Sequence, residues 1–229
     1  MNLGRIVISK QVNANPSGSV IFLHGSGDTG NGVRMWIHQL LGKEMQFPHL
    51  RLLFPTAPVL PYTPMGGSLS NVWFDRQDIC PEVPECVESI NSSGEALKHL
   101  IQKEVEDGIP MDRIIIGGFS MGGAMAMHLA YRILPEVAGC FAISSFLNES
   151  SVVYESMKKN SERKYPPLTF MHGDADSLVP SEWGMDTFQN LKKLGVEGSF
   201  SVKKNVMHEL SKEELLELTN WVNSKLPQS

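Results

Sequence analysis

Residues 117–123 read GGFSMGG, and within them Gly118, Phe119, Ser120, Met121 and Gly122 have the spacing G-x-S-x-G. A serine hydroxyl is a weak nucleophile, but it attacks an acyl carbonyl once a neighbouring base takes its proton. A sharp strand-to-helix turn lifts such a hydroxyl clear of the backbone, and the turn tolerates only small flanking residues. Gly118 and Gly122 provide that room. The preceding run RIIIG, 113–117, has the composition of a buried strand. The following run, 121–134, is rich in Ala, Met and Leu and has the composition of a buried helix. A helix N-terminus beneath the hydroxyl favours a developing oxyanion. Ser26, Ser144 and Ser145 also follow strand-like runs, but none has glycines on both sides at this spacing.

An attacking serine needs a base, and the base needs a third group to orient it. Around a strand–G-x-S-x-G–helix unit the chain order is serine, then Asp or Glu, then histidine. Of the seven histidines, His172 and His208 follow Ser120 in loop-like positions, whereas His128 falls inside the helix after the turn. His172 ends a strand and precedes the acidic candidates. His208, in NVMHEL, satisfies the order and sits in a loop. The segment HGDADSLVP offers two acids, Asp174 and Asp176, which spacing does not separate; Asp174 also suits bonding to the amides of its own turn. The loop LHGSGDTGNG after the run SVIFL supplies a second amide for an oxyanion, so the expected donors are the backbone N–H groups of Ser26 and Met121. Gly25 and Gly27 allow a close backbone approach. The same loop lacks the G-K-[ST] of a phosphate-binding loop.

These groups must be carried at the ends of strands. Apolar runs at 19–23, 51–54, 113–117, 140–144 and 168–172 read as strands, with a weaker one at 199–202 and an edge strand at 5–9. They are continuously apolar rather than alternating, which indicates a sheet covered on both faces. Helices are expected at 96–105, 121–134 and 181–194, the last closed by Gly195. A final helix opens with Ser211 as cap and Glu214 completing a capping box. The βαβα order predicts a mostly parallel central sheet with helices on both faces, the α/β-hydrolase fold, in one domain over 1–229. Residues 55–86 form a proline- and glycine-rich connection too long to be routine. Trp73 and Phe74 argue that it is ordered near the site.

The chain has 229 residues, 41% apolar and 20% charged, with a net charge of −5. This balance suits a globular chain and disfavours nucleic acid as a partner. No apolar run reaches the roughly 18 residues of a membrane span, so any membrane contact is at most peripheral. The first eleven residues lack the apolar core of a secretory signal. Three cysteines, Cys80, Cys86 and Cys140, give an odd number, which predicts free thiols in a reducing compartment. They have neither the spacing nor the histidine partners of a zinc site.

The set FLHGSGDTG, PTAP, NVWFD, GGFSMGG, HGDADSLVP and the late His208 runs in order over nearly the whole chain. It resembles the acyl-protein thioesterase and lysophospholipase-like family. The resemblance implies Ser120, Asp176 and His208 as the triad, and so selects Asp176 over Asp174. It implies the amides of Ser26 and Met121 as oxyanion donors, with no metal or other cofactor. It further implies a cytosolic hydrolase of thioesters or esters, including palmitoyl and other S-acyl groups on protein cysteines. The expected partner is then an S-acylated protein or a small acyl ester. Ser26 and Met121 stand where the thioesterases usually carry Leu and Gln, which bears on acyl-chain length. A short-chain carboxylesterase is the alternative within the class, and a binding module on a hydrolase scaffold the alternative outside it. Ser120→Ala is expected to remove nearly all hydrolysis of acyl esters while leaving the circular dichroism spectrum unchanged. Wild-type hydrolysis in that variant would overturn the assignment.

Overall fold

The computed structural model describes residues 2–9 and 15–228. The apolar runs form one seven-stranded sheet among the described residues, in the order β1-β3-β2-β6-β7-β8-β9. Its members are β1 (Ile6–Ser9), β2 (Gly18–Leu23), β3 (Leu50–Pro55), β6 (Ile114–Phe119), β7 (Gly139–Ile143), β8 (Leu168–Gly173) and β9 (Gly198–Lys203). All neighbours pair in parallel except β1, which runs antiparallel to β3 as the expected edge strand. Strands β2, β6, β7 and β8 are buried along their whole length, as continuous apolar runs require when both faces are covered.

Two helices, α1 (Gly30–Leu41) and α6 (Lys212–Lys225), pack on one face through Val33, Ile37, Leu215, Leu218 and Val222. The other face carries α2 (Val87–Glu106), α3 (Met121–His128), α4 (Val152–Lys159) and α5 (Ser181–Lys193). The capping box of α6 is present: the Glu214 amide donates to Ser211 Oγ at 3.2 Å, and the Ser211 amide donates to Glu214 Oε2 at 2.9 Å. Beyond α5, Gly195 takes φ +93°, a left-handed conformation that glycine adopts without a side-chain penalty.

Three helical features depart from expectation. Helix α2 begins nine residues earlier than the apolar period indicates. Its first turns, VESINSSG, are poor in strong helix formers, but Ser93 and Gly94 are buried, and a Cβ at Gly94 would stand 2.7 Å from Ile133 Cδ1. Close packing, not propensity, sets that helix. The run 121–134 is not one regular helix: after α3 it widens into a π-helical turn, Leu129–Ile133, closed by the Leu134 amide on the Leu129 carbonyl at 2.7 Å. Helices α1 and α4 lie where no helix is expected. Glycines at the start of α1 hide its period, yet Thr29 Oγ1 caps the Gly32 amide at 2.9 Å and Val33 and Ile37 form the inner face.

The long connection at 55–86 is ordered, and it carries a hairpin of β4 (Val59–Tyr62) and β5 (Ser68–Asn71). Asp75 pins the tip by accepting from the Thr63 amide at 2.8 Å and the Thr63 hydroxyl at 2.7 Å. Trp73 is fully buried, and its indole N–H donates to the His24 carbonyl at 2.8 Å.

Below the sheet edge, α3 approaches β2 so closely that a Cβ at Gly122 would stand 2.2 Å from the Leu23 carbonyl oxygen and 2.6 Å from that of His24. Backbone on both sides cannot yield as a flexible side chain would. Gly122→Ala is therefore expected to lower stability by about 3 kcal/mol in urea unfolding. Gly42→Ala, at φ +71° with nothing within 4 Å, is expected to cost only about 1 kcal/mol. Equal shifts in the two variants would contradict this account of the turn.

Candidate active site

Ser120 occupies the turn between β6 and α3 with φ 54° and ψ −123°, a conformation that costs a non-glycine residue about 1–3 kcal/mol. The surroundings hold it there. The Ser120 amide donates to the Ile143 carbonyl at 2.8 Å, and the Ser120 carbonyl accepts from the Gly123 amide at 3.0 Å. A Cβ at Gly118 would stand 2.4 Å from the Leu23 carbonyl oxygen, so the turn closes only with glycine at that position. The Ser120 hydroxyl projects beyond the carboxyl edge of the sheet.

His208 lies in the loop between β9 and α6. Its Nε2 is 2.9 Å from Ser120 Oγ and its Nδ1 is 2.7 Å from Asp176 Oδ2. The serine hydroxyl donates to Nε2 while Nδ1–H donates to the carboxylate. The Phe119 ring, 4.9 Å from the imidazole between centroids, supports the ring plane. Asp176, in the loop after β8, is buried. Its Oδ1 accepts from the amides of Leu178 at 3.1 Å and Val179 at 2.8 Å. Burial alone would raise the carboxyl's pKa. The neighbouring imidazoles of His172 and His208 and the Val179 amide outweigh it and hold Asp176 well below the usual carboxylate range. His172 Nε2 donates to the Val179 carbonyl at 2.8 Å and lies 3.6 Å from Asp176 Oδ2. Asp174 is exposed and accepts from the Asn205 amide at 2.6 Å, so it fastens two loops and stays off the imidazole.

Ser26 and Met121 line one cavity with Ser120. Among the described residues, neither of their amides has an acceptor within the protein. The loop that carries Ser26 is oriented by His24, a residue that sequence reasoning passes over although it opens the HGSGD run. His24 Nδ1 donates to the Gly25 carbonyl at 2.6 Å and Nε2 accepts from the Ala57 amide at 2.9 Å, a pattern open only to the neutral ring. Burial lowers the pKa of His24 accordingly. The cavity is small, about 20 Å³. Its other walls include Tyr62, Arg76, Ser144, Ser145 and Phe146. None of these is expected from motif spacing; their one sequence signal is nearness to NVWFD and to the end of the strand run at 140–144. Cys80, Cys86 and Cys140 are free thiols, and no cluster of His, Cys, Asp or Glu suited to a metal occurs among the described residues. No helix among the described residues is long and apolar enough to cross a membrane.

A serine raised on a strained turn at the carboxyl edge of a covered, mostly parallel sheet fits a serine hydrolase with the α/β-hydrolase fold. More narrowly, the chain belongs to the phospholipase/carboxylesterase family, whose pattern it matches over residues 4–226. It is 49% identical over 227 residues to mouse lysophospholipase-like protein 1, covering 99% of this chain and 94% of that one. It is 33% identical to acyl-protein thioesterase 1 homolog 1 of Dictyostelium discoideum, covering 96% of each. The crystal structure of maize acyl-protein thioesterase 2 superposes with a TM-score of 0.82 at 24% identity, covering 97% of this chain and 99% of that one.

The buried titratable groups give stability a defined pH dependence. His24 and His128 are both held below the 6.5 of an unperturbed histidine by burial, so below that pH the unfolded chain takes up protons that the folded chain refuses. Asp176 acts in the same direction at lower pH: its contribution is present above the unfolded value of 3.8 and is lost as pH falls further. The thermal midpoint is expected to decline in two stages, first below about pH 6.5 and again below about pH 4. A midpoint constant from about pH 7.5 to about pH 5 would contradict the neutral state assigned to His24.

Proposed function

We propose that this protein hydrolyses acyl thioesters and esters, S-acyl groups on protein cysteines among them, by two-step acyl transfer on Ser120. The observation that carries the reading is the unbroken hydrogen-bonded line from Ser120 Oγ through His208 to Asp176, at 2.9 and 2.7 Å. In the first step His208 Nε2 takes the hydroxyl proton as Ser120 Oγ bonds to the acyl carbon. Asp176, ionised throughout, fixes the imidazole tautomer and stabilises the imidazolium. The amides of Ser26 and Met121 receive the oxyanion, and the N-terminus of α3 adds its dipole. The C–S or C–O bond then breaks, and the proton on His208 passes to the departing thiol or alcohol, which leaves the imidazole neutral. In the second step water attacks the acyl-serine along the same path. The likeness to proteins named acyl-protein thioesterases supports thioesters as substrates. The whole chain acts as one domain, and its three free cysteines fit a cytosolic setting.

A second reading, a short-chain carboxylesterase with little long-chain activity, is favoured by the cavity. At about 20 Å³ the cavity is far short of a palmitoyl chain. The test is kcat/KM for thioesters of one thiol, acylated from acetyl to palmitoyl. A maximum at two to four carbons is the outcome the cavity favours, whereas a maximum at palmitoyl would replace it with long-chain deacylation. In parallel, Asp176→Asn is expected to lower kcat by about 10⁴-fold. Asp174→Asn should lower it by no more than about threefold, because its bond lies in the loop framework. An Asp174→Asn variant as inactive as Asp176→Asn would contradict the triad.

A further inference from the structure

The cavity beside Ser120 holds a cation that the two-step mechanism does not use. Arg76 is 9% exposed and lines the same cavity as Ser120, Ser26 and Met121. Its guanidinium carbon lies 5.0 Å from the Phe74 ring centroid and 5.4 Å from that of Phe146, so two aromatic faces hold it in place. Its Nε is buried without a hydrogen-bond partner among the described residues. Glu85 and Asp75 act on it electrostatically, but no ion pair to Arg76 occurs among the described residues. Two further polar groups on the same wall, Ser144 Oγ and Ser145 Oγ, are buried and without a partner among the described residues. A pocket made for hydrocarbon has no use for a fixed cation and two free hydroxyls. Buried charges in proteins are paired, and the planar fork of arginine matches a carboxylate.

We infer that Arg76 selects short acyl groups that end in a carboxylate, the half-esters and half-thioesters of small dicarboxylic acids. This rests on the acyl-serine reading above. The acyl carbonyl sits at Ser120 while the terminal carboxylate meets the guanidinium. Water cleaves the acyl-serine bond and releases the dicarboxylic acid, so no additional reactant is needed.

The test compares two thioesters of N-acetylcysteamine, succinyl and 4-methylpentanoyl, whose chains end in a carboxylate and an isopropyl group of the same shape. Wild-type enzyme is expected to favour succinyl in kcat/KM by at least about tenfold. Arg76→Met is expected to lower the ratio of succinyl to 4-methylpentanoyl by on the order of 100-fold, mainly through KM, with Arg76→Lys recovering part of it. The wild-type ratio needs no variant to fold. A wild-type preference for 4-methylpentanoyl, or a ratio that Arg76→Met leaves unchanged, would overturn the inference while leaving the hydrolase reading intact. Failure on both substrates together with no labelling of Ser120 by a fluorophosphonate would instead remove the reading on which it rests.

Discussion

The carbonyl oxygens of Leu23 and His24, at the end of β2, meet the first turn of α3 at a distance that excludes any side chain at positions 118 and 122. This contact sets the height of Ser120 above the sheet and the direction of the α3 N-terminus. It also brings the loop after β2 alongside Ser120, so that Ser26 and Met121 line one cavity with it. The unfavourable backbone angles at Ser120 persist because neighbours on both sides over-determine them. Its amide is tied to β7, its carbonyl to the α3 turn, and its flanking glycines to β2.

Charge is distributed around that contact with little left to solvent. His24 is kept neutral so that one ring nitrogen donates and the other accepts, which locks the loop after β2 to the chain at Ala57. Asp176 is kept ionised by amides on one oxygen and histidines near the other. The two groups sit in comparable burial and take opposite charge states because their partners differ: carbonyl and amide for the histidine, donors alone for the carboxylate. His172 links the systems by tethering the Val179 carbonyl, which shapes the turn that presents Asp176.

Much of this was legible from residue spacing. The G-x-S-x-G run, its strand and its helix are local features whose requirements are steric, and sterics can be read from glycines in a string. The order of Asp176 and His208 follows from topology, and the strand runs follow from their unbroken apolar character. What escaped was set by distant partners. The first turns of α2 look like a loop until Ile133 is placed against Gly94. Spacing leaves Asp174 and Asp176 equivalent and only the family resemblance selects Asp176; in the fold Asp174 binds the Asn205 amide while Asp176 meets His208. Arg76 reads as a surface charge in NVWFDRQ, and burial between Phe74 and Phe146 depends on a ring contributed from seventy residues onward.

The β4–β5 hairpin has a mechanical consequence. Its last residue, Asn71, accepts from the Gly27 amide at 2.9 Å, next to Ser26, and its side chain donates to the Ala57 carbonyl at 2.9 Å, whose amide in turn holds His24. The wall that limits the cavity through Tyr62 and the loop that presents the Ser26 amide are therefore stitched into one body. A displacement of the hairpin carries the neighbourhood of Ser26 with it, so the width of the cavity and the position of the Ser26 amide change along a single coordinate.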